Sequence, residues 1–148
     1  LALDCRVGGR GADRVADVAL IRSPMLTGAD LAALCRDQGT AADIEEIAGQ
    51  VATGRATAWC GRMLDGGHRR RAGVVVLREE RRGVDREMVL VCAAGVAGAF
   101  RSFLPHIRTL ARRAECATIR AHNRRRGFHR LMRQEGFDVA ETVWRRPV

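Results

Sequence analysis

The chain of 148 residues contains no lysine and no tyrosine, so all 26 of its basic residues are arginine. The missing tyrosine removes the phenol as a proton donor anywhere in the molecule. A lysine-free, Ala/Gly/Arg-rich composition is the usage of a GC-rich genome, which weakens any functional meaning of the arginine count alone. Aromatics are scarce at 4%, which leaves few platforms for stacking nucleic-acid bases. No run of eighteen apolar residues exists, so no helix is expected to span a membrane. Leu1 to Leu20 lacks the basic head, apolar middle and small-residue cleavage site of a secretory signal.

The cysteines Cys5, Cys35, Cys60, Cys92 and Cys116 are dispersed, with no Cys-x-x-Cys pair. An odd, scattered set excludes a disulfide framework and a zinc knuckle, and predicts buried small hydrophobes in a reducing compartment. A cytoplasmic site of synthesis is expected. His68, His106 and His122 show no metal-ligand spacing with any acid or cysteine, so no metal is assigned.

What is present is charge, unevenly spread. Residues 1–60 hold six Arg against eight acids, and residues 61–148 hold twenty against nine, within a net charge of +9. A basic second half can attract phosphates, nucleic acid or an acidic partner. Three arginine runs carry it. Arg69-Arg70-Arg71 is read as part of a hairpin turn, Arg112-Arg113 as a helix end where cations suit the dipole, and Arg124-Arg125-Arg126 as the lead into another helix. Solvated turns and faces account for each run singly; convergence in space would make a nucleic-acid surface.

The length suits one domain, read as 17–148 behind a Gly/Arg-rich arm at 1–16. Val18 to Ile21 is a short apolar strand ending at Ser23-Pro24. Thr27 and Asp30 form a capping box, with Leu26 and Leu31 as its staple, and Leu31, Leu34 and Cys35 form the buried face of the first helix. Gly39 ends that helix. Thr40 and Asp43 repeat the device ahead of Ile44, Ile47, Ala48 and Val51, and Gly54 closes the second helix.

Three strands follow: Ala56 to Leu64, Gly73 to Glu80 and Glu87 to Ala93. Asp65-Gly66-Gly67-His68 and Arg82-Gly83-Val84-Asp85 turn the chain between them, which makes an antiparallel meander. Phe100, Phe103, Leu104, Ile107, Leu110, Ala111 and Ala114 then step at three and four, the stripe of a long helix. Pro105 is compatible with that helix if it falls in the first turn. Ala117 to Ala121 reads as a strand, Phe128 to Glu135 as a short helix stopped by Gly136, and Val139 to Trp144 as the last strand. Trp59 and Trp144 are read as core or edge residues.

The order β-α-α-β-β-β-α-β-α-β, a mixed α/β chain, resembles that of the GNAT acetyltransferase superfamily. The run Cys92-Ala93-Ala94-Gly95-Val96-Ala97 before the long helix is similar to that superfamily's Gln/Arg-x-x-Gly-x-Gly/Ala phosphate loop. Asn123 stands where GNAT proteins often carry an Asn, and Gly136-Phe137 is similar to the Gly-Phe closing their short helix. Within the superfamily, Leu31 to Asp37, Asp43 to Ile47 and Arg125 to Leu131 look like the small GNAT-like proteins of tailed phages and prophages.

The resemblance implies acetyl-CoA as cofactor, held through Cys92, Gly95, Val96, Ala97, Gly98, Ala99 and Asn123. The alternative for this loop is a Gly/Ala turn whose small residues let helix and sheet pack closely. The resemblance also implies two alterations. Cys92 occupies the Gln/Arg position, which Arg101 replaces only in part. Met132 occupies the position four before the Gly-Phe, where a Tyr often protonates the leaving thiolate.

His129, one turn earlier, and Cys116 are the available donors. Glu87 is the candidate base, followed by Glu79 and Glu80; ordinary charge balance with Arg78, Arg81, Arg82 and Arg86 accounts for all three acids as well. The altered site and the phage-like patterns imply a binding or structural component of a phage or prophage particle, in host cytoplasm or virion, with protein partners or self-association. The alternatives are a working acetyl-CoA-dependent N-acetyltransferase of unidentified amine substrate, and an arginine-driven nucleic-acid binder.

Overall fold

The computed structural model describes residues 2–3, 18–38, 41–96, 98–121 and 126–139. In chain order the elements are β1 (Ala2–Leu3), β2 (Val18–Ser23), α1 (Gly28–Gln38), α2 (Ala41–Ala52), β3 (Thr57–Asp65), β4 (His68–Arg82), β5 (Asp85–Gly95), α3 (Ala99–Arg113), β6 (Thr118–Ala121) and α4 (Arg126–Gln134). The strands form one mixed sheet in the order β1-β2-β3-β4-β5-β6. Every pairing is antiparallel except β5 with β6, the pair joined through α3. A parallel pair needs a crossover of this kind. The expected order holds from β2 to α4. Beyond Val139 the strand expected over Val139–Trp144 lies outside the described residues, and so does most of the 1–16 segment, in which Ala2 and Leu3 pair with Ile21 and Leu20.

The sheet has two apolar faces because the strand interior is apolar at every position. Val75, Leu77, Met88 and Leu90 face α3, where Phe103, Leu104, Ile107 and Ala111 close the larger core. Val74, Val76, Cys92 and Ala94 face Leu34 of α1 and Ile44 and Val51 of α2. Phe103 is 1% exposed, and its ring lies where a Cβ on Gly61 would approach it to 2.4 Å. A glycine in mid-strand is the condition for seating that ring.

Two bulges break the alternation. Gly61 pairs with Gly73 but Arg62 with Arg71, leaving Ala72 extra on β4; Val76 pairs with Cys92 but Leu77 with Leu90, leaving Val91 extra on β5. A one-residue insertion turns every later side chain to the opposite face. Met88 and Leu90 therefore pack under α3, whereas Cys92 and Ala94 pack under α1 and α2.

The capping box forms as expected. Thr27 N–H donates to Asp30 Oδ2 at 2.8 Å, and Asp30 N–H donates to Thr27 Oγ1 at 3.2 Å. Asp30 is also the buried partner of Arg71 from β4, which clamps the start of α1 onto the sheet. The second box cannot be placed, since Thr40 lies outside the described residues. Gly54, Gly66, Gly67, Gly83 and Gly136 all take positive φ at the turns and helix ends expected of them.

Three expectations need correction. Cys35 is exposed, not part of the buried face of α1. The wheel closes on Asp30 and Leu34 instead, because Asp30 turns inward to Arg71. Arg69, Arg70 and Arg71 lie in β4, paired with Leu64, Met63 and Arg62, not in a turn. The two-residue Gly66-Gly67 turn lets the ladder run to the tip despite the charges. Pro105 is the seventh residue of α3, beyond the first turn. It removes one backbone donor there, at a typical cost of about 3 kcal/mol, and the buried apolar stripe of this helix offsets it.

Candidate functional site

Of the residues expected to hold a cofactor, Cys92, Gly95, Val96, Gly98 and Ala99 lie where β5 runs into α3. The β5–β6 ladder is described from Glu87↔Thr118 to Leu90↔Ala121, while β5 continues to Gly95. The bulge at Val91 follows directly after the last of these pairs. It re-aims the strand ahead of the glycine-rich turn that leads into α3.

At its C-terminal end, β5 is anchored to β4 by glycine against glycine. A Cβ on Gly95 would come within 2.5 Å of Ala72 O, and one on Gly73 within 2.3 Å of Ala94 O. Val96 N–H then donates to Ala72 O at 2.9 Å, and Ala99 N–H to Val96 O at 3.1 Å. The smallness of Gly95 is thus explained by strand packing alone. Gly98 differs from it. It precedes α3 at φ 79°, and a Cβ there would meet nothing within 4 Å. Among the described residues no side chain caps α3, and no acid stands in its first turn. Apart from Ala99 N–H, which Val96 O accepts, its first N–H groups therefore have no side-chain partner among the described residues, beside exposed Val96 and Gly98.

Cys92 lies in the core under α1 and α2, and burial pushes its thiol up to about 12. It stays neutral and offers the site only its backbone. Ala99 is buried as the first residue of α3. Ala97 and Asn123 lie outside the described residues. Arg101, the suggested substitute cation, bridges to α4: Nη2 donates to Gln134 Oε1 at 2.9 Å, and Nε lies 3.0 Å from Glu135 Oε1. Phe100 packs on Phe128 with ring centroids 4.7 Å apart, and Arg108 Nη2 donates to Glu135 O at 2.7 Å. Together these contacts fix α4 beside the first turn of α3.

The acid and base candidates are not gathered at that junction. Glu87 sits near the start of β5, four residues before the bulge, so about 13 Å of strand separates it from Val91. It is buried on the α1/α2 side. Thr118 Oγ1 donates to its Oε1 at 3.0 Å and Arg120 Nε to its Oε2 at 2.7 Å. Burial raises its pKa, but Arg120, Thr118 and Arg82 outweigh burial and hold the carboxyl below its ordinary value. A carboxylate so engaged is a poor acceptor for a proton.

Arg120 also reaches Glu80, and Glu80 accepts from Arg78 Nε at 2.7 Å, while Arg78 Nη1 donates to Gln50 Oε1 at 2.8 Å. Glu79 pairs with Arg86. Cys116 stands at the same end of the sheet, where burial first, then Glu79 and Glu87, raise its thiol pKa. His129 is exposed on α4, and Met132 is buried at the position where the resemblance places a tyrosine. Sequence reading missed Arg120, the residue that unites this cluster, because its partners lie 33 and 40 positions away.

No family model matches this sequence, and no curated protein matches it either. Solved structures do match its backbone. A ribosomal-protein-alanine N-acetyltransferase from Brucella melitensis superposes with a TM-score of 0.63 at 13% identity, over 90% of this chain and 99% of that one. The fold is that of the GNAT acetyltransferases. A GNAT family acetyltransferase from Staphylococcus aureus gives a TM-score of 0.56 at 10% identity, over 87% of this chain and 98% of the other. AAC(6')-Iy, solved with the bisubstrate analogue CoA-S-monomethyl-acetylneamine, gives 0.57 at 12% identity, over 88% of this chain and 99% of its own.

Proposed function

We propose that this protein binds acetyl-CoA at the β5–α3 junction and transfers the acetyl group to an amine. The single observation that carries the reading is the start of α3, which has no side-chain cap, no acid in its first turn, and open space at Gly98. A helix terminus of this kind complements the pyrophosphate of the cofactor. The turn from Gly95 through Val96, Ala97 and Gly98 to Ala99 would hold it through N–H groups other than those of Val96 and Ala99, which Ala72 O and Val96 O already accept, and Asn123 is assigned to the same site. When bound, acetyl-CoA supplies an activated thioester carbonyl for attack by the amine.

This chain's own part is positioning. The bulge at Val91 re-aims β5 ahead of the glycine-rich turn, and Arg101 holds α4 along one side. Glu87 is a structural carboxylate in this reading, and the acceptor amine loses its proton to solvent. Met132 cannot protonate the thiolate, which leaves as the anion or takes a proton from water.

Acetyl-CoA titrated calorimetrically into the protein is expected to bind with micromolar affinity, about −8 kcal/mol. Gly98→Asp is the decisive variant. Aspartate tolerates positive φ and suits a helix start, yet it sets a negative charge where phosphate would lie. Loss of binding with an unchanged melting temperature supports the reading; undiminished binding rejects it. Gly95→Asp is a weaker probe, because it collides with Ala72 O whether or not a ligand binds.

A second reading is favoured by the neutralised Glu87 and the buried Met132. It is a GNAT-fold protein without catalysis, acting as a binding or structural component, with the patterns at Leu31–Asp37, Asp43–Ile47 and Arg125–Leu131 suggesting a phage particle. Absence of any heat with acetyl-CoA would select it.

A further inference from the structure

The bulge at Ala72 has a consequence on the face of the sheet opposite α3. Val75 and Ala72 both pack under α3, so the extra residue reverses the alternation of β4. Arg71 is thereby turned to the α1 face, where Asp30 holds it. On β3, Ala58 packs under α1 and α2 and Trp59 under α3, so alternation puts Cys60 and Arg62 on the α1 face as well. Arg62 and Arg71 then stand directly opposite each other in the ladder, with Cβ atoms about 5 Å apart.

Both arginines are exposed, and like charges directly opposite on one face destabilise a sheet. Here each is held by a buried group. Asp30, 2% exposed, pairs with Arg71. The buried Cys60 thiol, which donates to Gly61 O at 3.8 Å, accepts a hydrogen bond from Arg62. Among the described residues no carboxylate pairs with Arg62. A guanidinium carries more N–H donors than one carboxylate oxygen uses, so Arg71 keeps donors beyond those on Asp30. Two such groups held side by side are complementary to one carboxylate or phosphate lodged between them.

The pair is also close to the glycine-rich turn. Arg71 is next in the chain to Ala72, whose carbonyl accepts Val96 N–H. α3 packs on the opposite face of the sheet. Acyl transfer brings two ligands to one point, and binding groups on opposite faces let them approach without competing. We infer that Arg62 and Arg71 clamp a carboxylate or phosphate carried by the acceptor, so that the substrates are anionic amines; this rests on acetyl transfer at the β5–α3 junction. In that step the amine nitrogen forms the amide bond as the thioester C–S bond breaks. The CoA thiolate leaves and the amine proton goes to water.

Matched acceptors test the clamp: O-phosphoethanolamine against ethanolamine, and β-alanine against propylamine, with transfer from acetyl-CoA followed by release of free thiol. The anionic member of each pair is expected to have a kcat/KM at least about 10-fold above its neutral partner. Arg62→Gln should raise KM for the anionic members roughly 10-fold, with kcat, acetyl-CoA affinity and melting temperature unchanged. Arg62→Lys should recover part of that loss. Arg81→Gln, exposed at the far end of β4, removes the same charge and should change none of these. O-phosphoethanolamine is also titrated calorimetrically without cofactor, and its binding should weaken roughly 10-fold in Arg62→Gln.

Equal kcat/KM within each pair, or equal effects of Arg62→Gln and Arg81→Gln, would overturn the clamp and leave acetyl transfer standing. A fall in acetyl-CoA affinity in Arg62→Gln would overturn it too, because the pair would then hold a cofactor phosphate. If no amine is acetylated, acetyl transfer falls and the cofactor-free titration decides the clamp. Equal binding by the protein and by Arg62→Gln in that titration rejects it.

Discussion

β4 carries three arginines at each end, Arg69 to Arg71 near the β3 turn and Arg78, Arg81 and Arg82 near the β5 turn, and the two ends have become different surfaces. At the β5 end, Glu79 and Glu80 alternate into the same strand and Glu87 stands opposite Glu80. Arg78, Arg86 and Arg120 settle among them. At the β3 end no acid alternates into β4, Arg69, Arg70 and Arg71 are exposed, and Arg71 reaches Asp30 of α1. The same residue type therefore serves as an internal tie in one place and as outward charge in the other. What decides between these roles is the pairing register, which determines whether a carboxylate faces the guanidinium.

The comparison can be broken most forcefully at Arg120. Arg120→Ala would leave buried Glu87 with only the Thr118 hydroxyl, and a loss of about 3 kcal/mol in stability by urea denaturation is expected. A loss below that of an ordinary surface change would mean that the cluster is not a tie.

Asp30→Ala comes next, because it removes both the capping box and the Arg71 pair. It should cost about 2 kcal/mol, and Asp30→Asn should recover part of the cap but not the ion pair.

Acid gives a graded version of the same test. Glu87 has a folded pKa below its unfolded value, so its contribution is complete above the unfolded pKa and is lost as pH falls through the folded one. Thermal stability should therefore decline below about pH 4.3, and Glu87→Gln should flatten that decline. The smallest effect belongs to the other end of β4: exposed Arg69→Ser should shift stability in urea denaturation by no more than about 0.5 kcal/mol.

Much of the fold was legible along the chain. Thr27 with Asp30, the Gly66-Gly67 turn, the stripe from Phe100 to Ala114 and the stop at Gly136 are local devices, each complete within a few residues. Cys35 was misjudged because helix periodicity marks a face without saying that a buried acid, Asp30, can take the inner place. The arginines at 69–71 were read as a turn because charge suggests solvent, although exposed strand positions suit it equally. The bulge at Val91 was invisible for a related reason. An uninterrupted apolar run from Met88 to Cys92 shows no break in alternation when both faces of the sheet are covered.

The candidate site was only half legible. The glycine-rich run and the helix after it are contiguous in sequence, so their junction was found there. Whether a given glycine serves a ligand or a neighbouring strand depends on what faces it: Gly95 faces Ala72 O, and Gly98 faces open space.

By itself the sequence determined the order of elements from β2 to α4, the glycine turns and the absence of a tyrosine acid, because helix periodicity, caps and turn conformations act over a few residues. Only the tertiary structure decided that Glu87 is paired with Arg120, that Asp30 holds Arg71, and that Val91 bulges from β5. Charge–charge contacts and bulge registers join residues distant in the chain, and their energies depend on burial and geometry that no local pattern encodes.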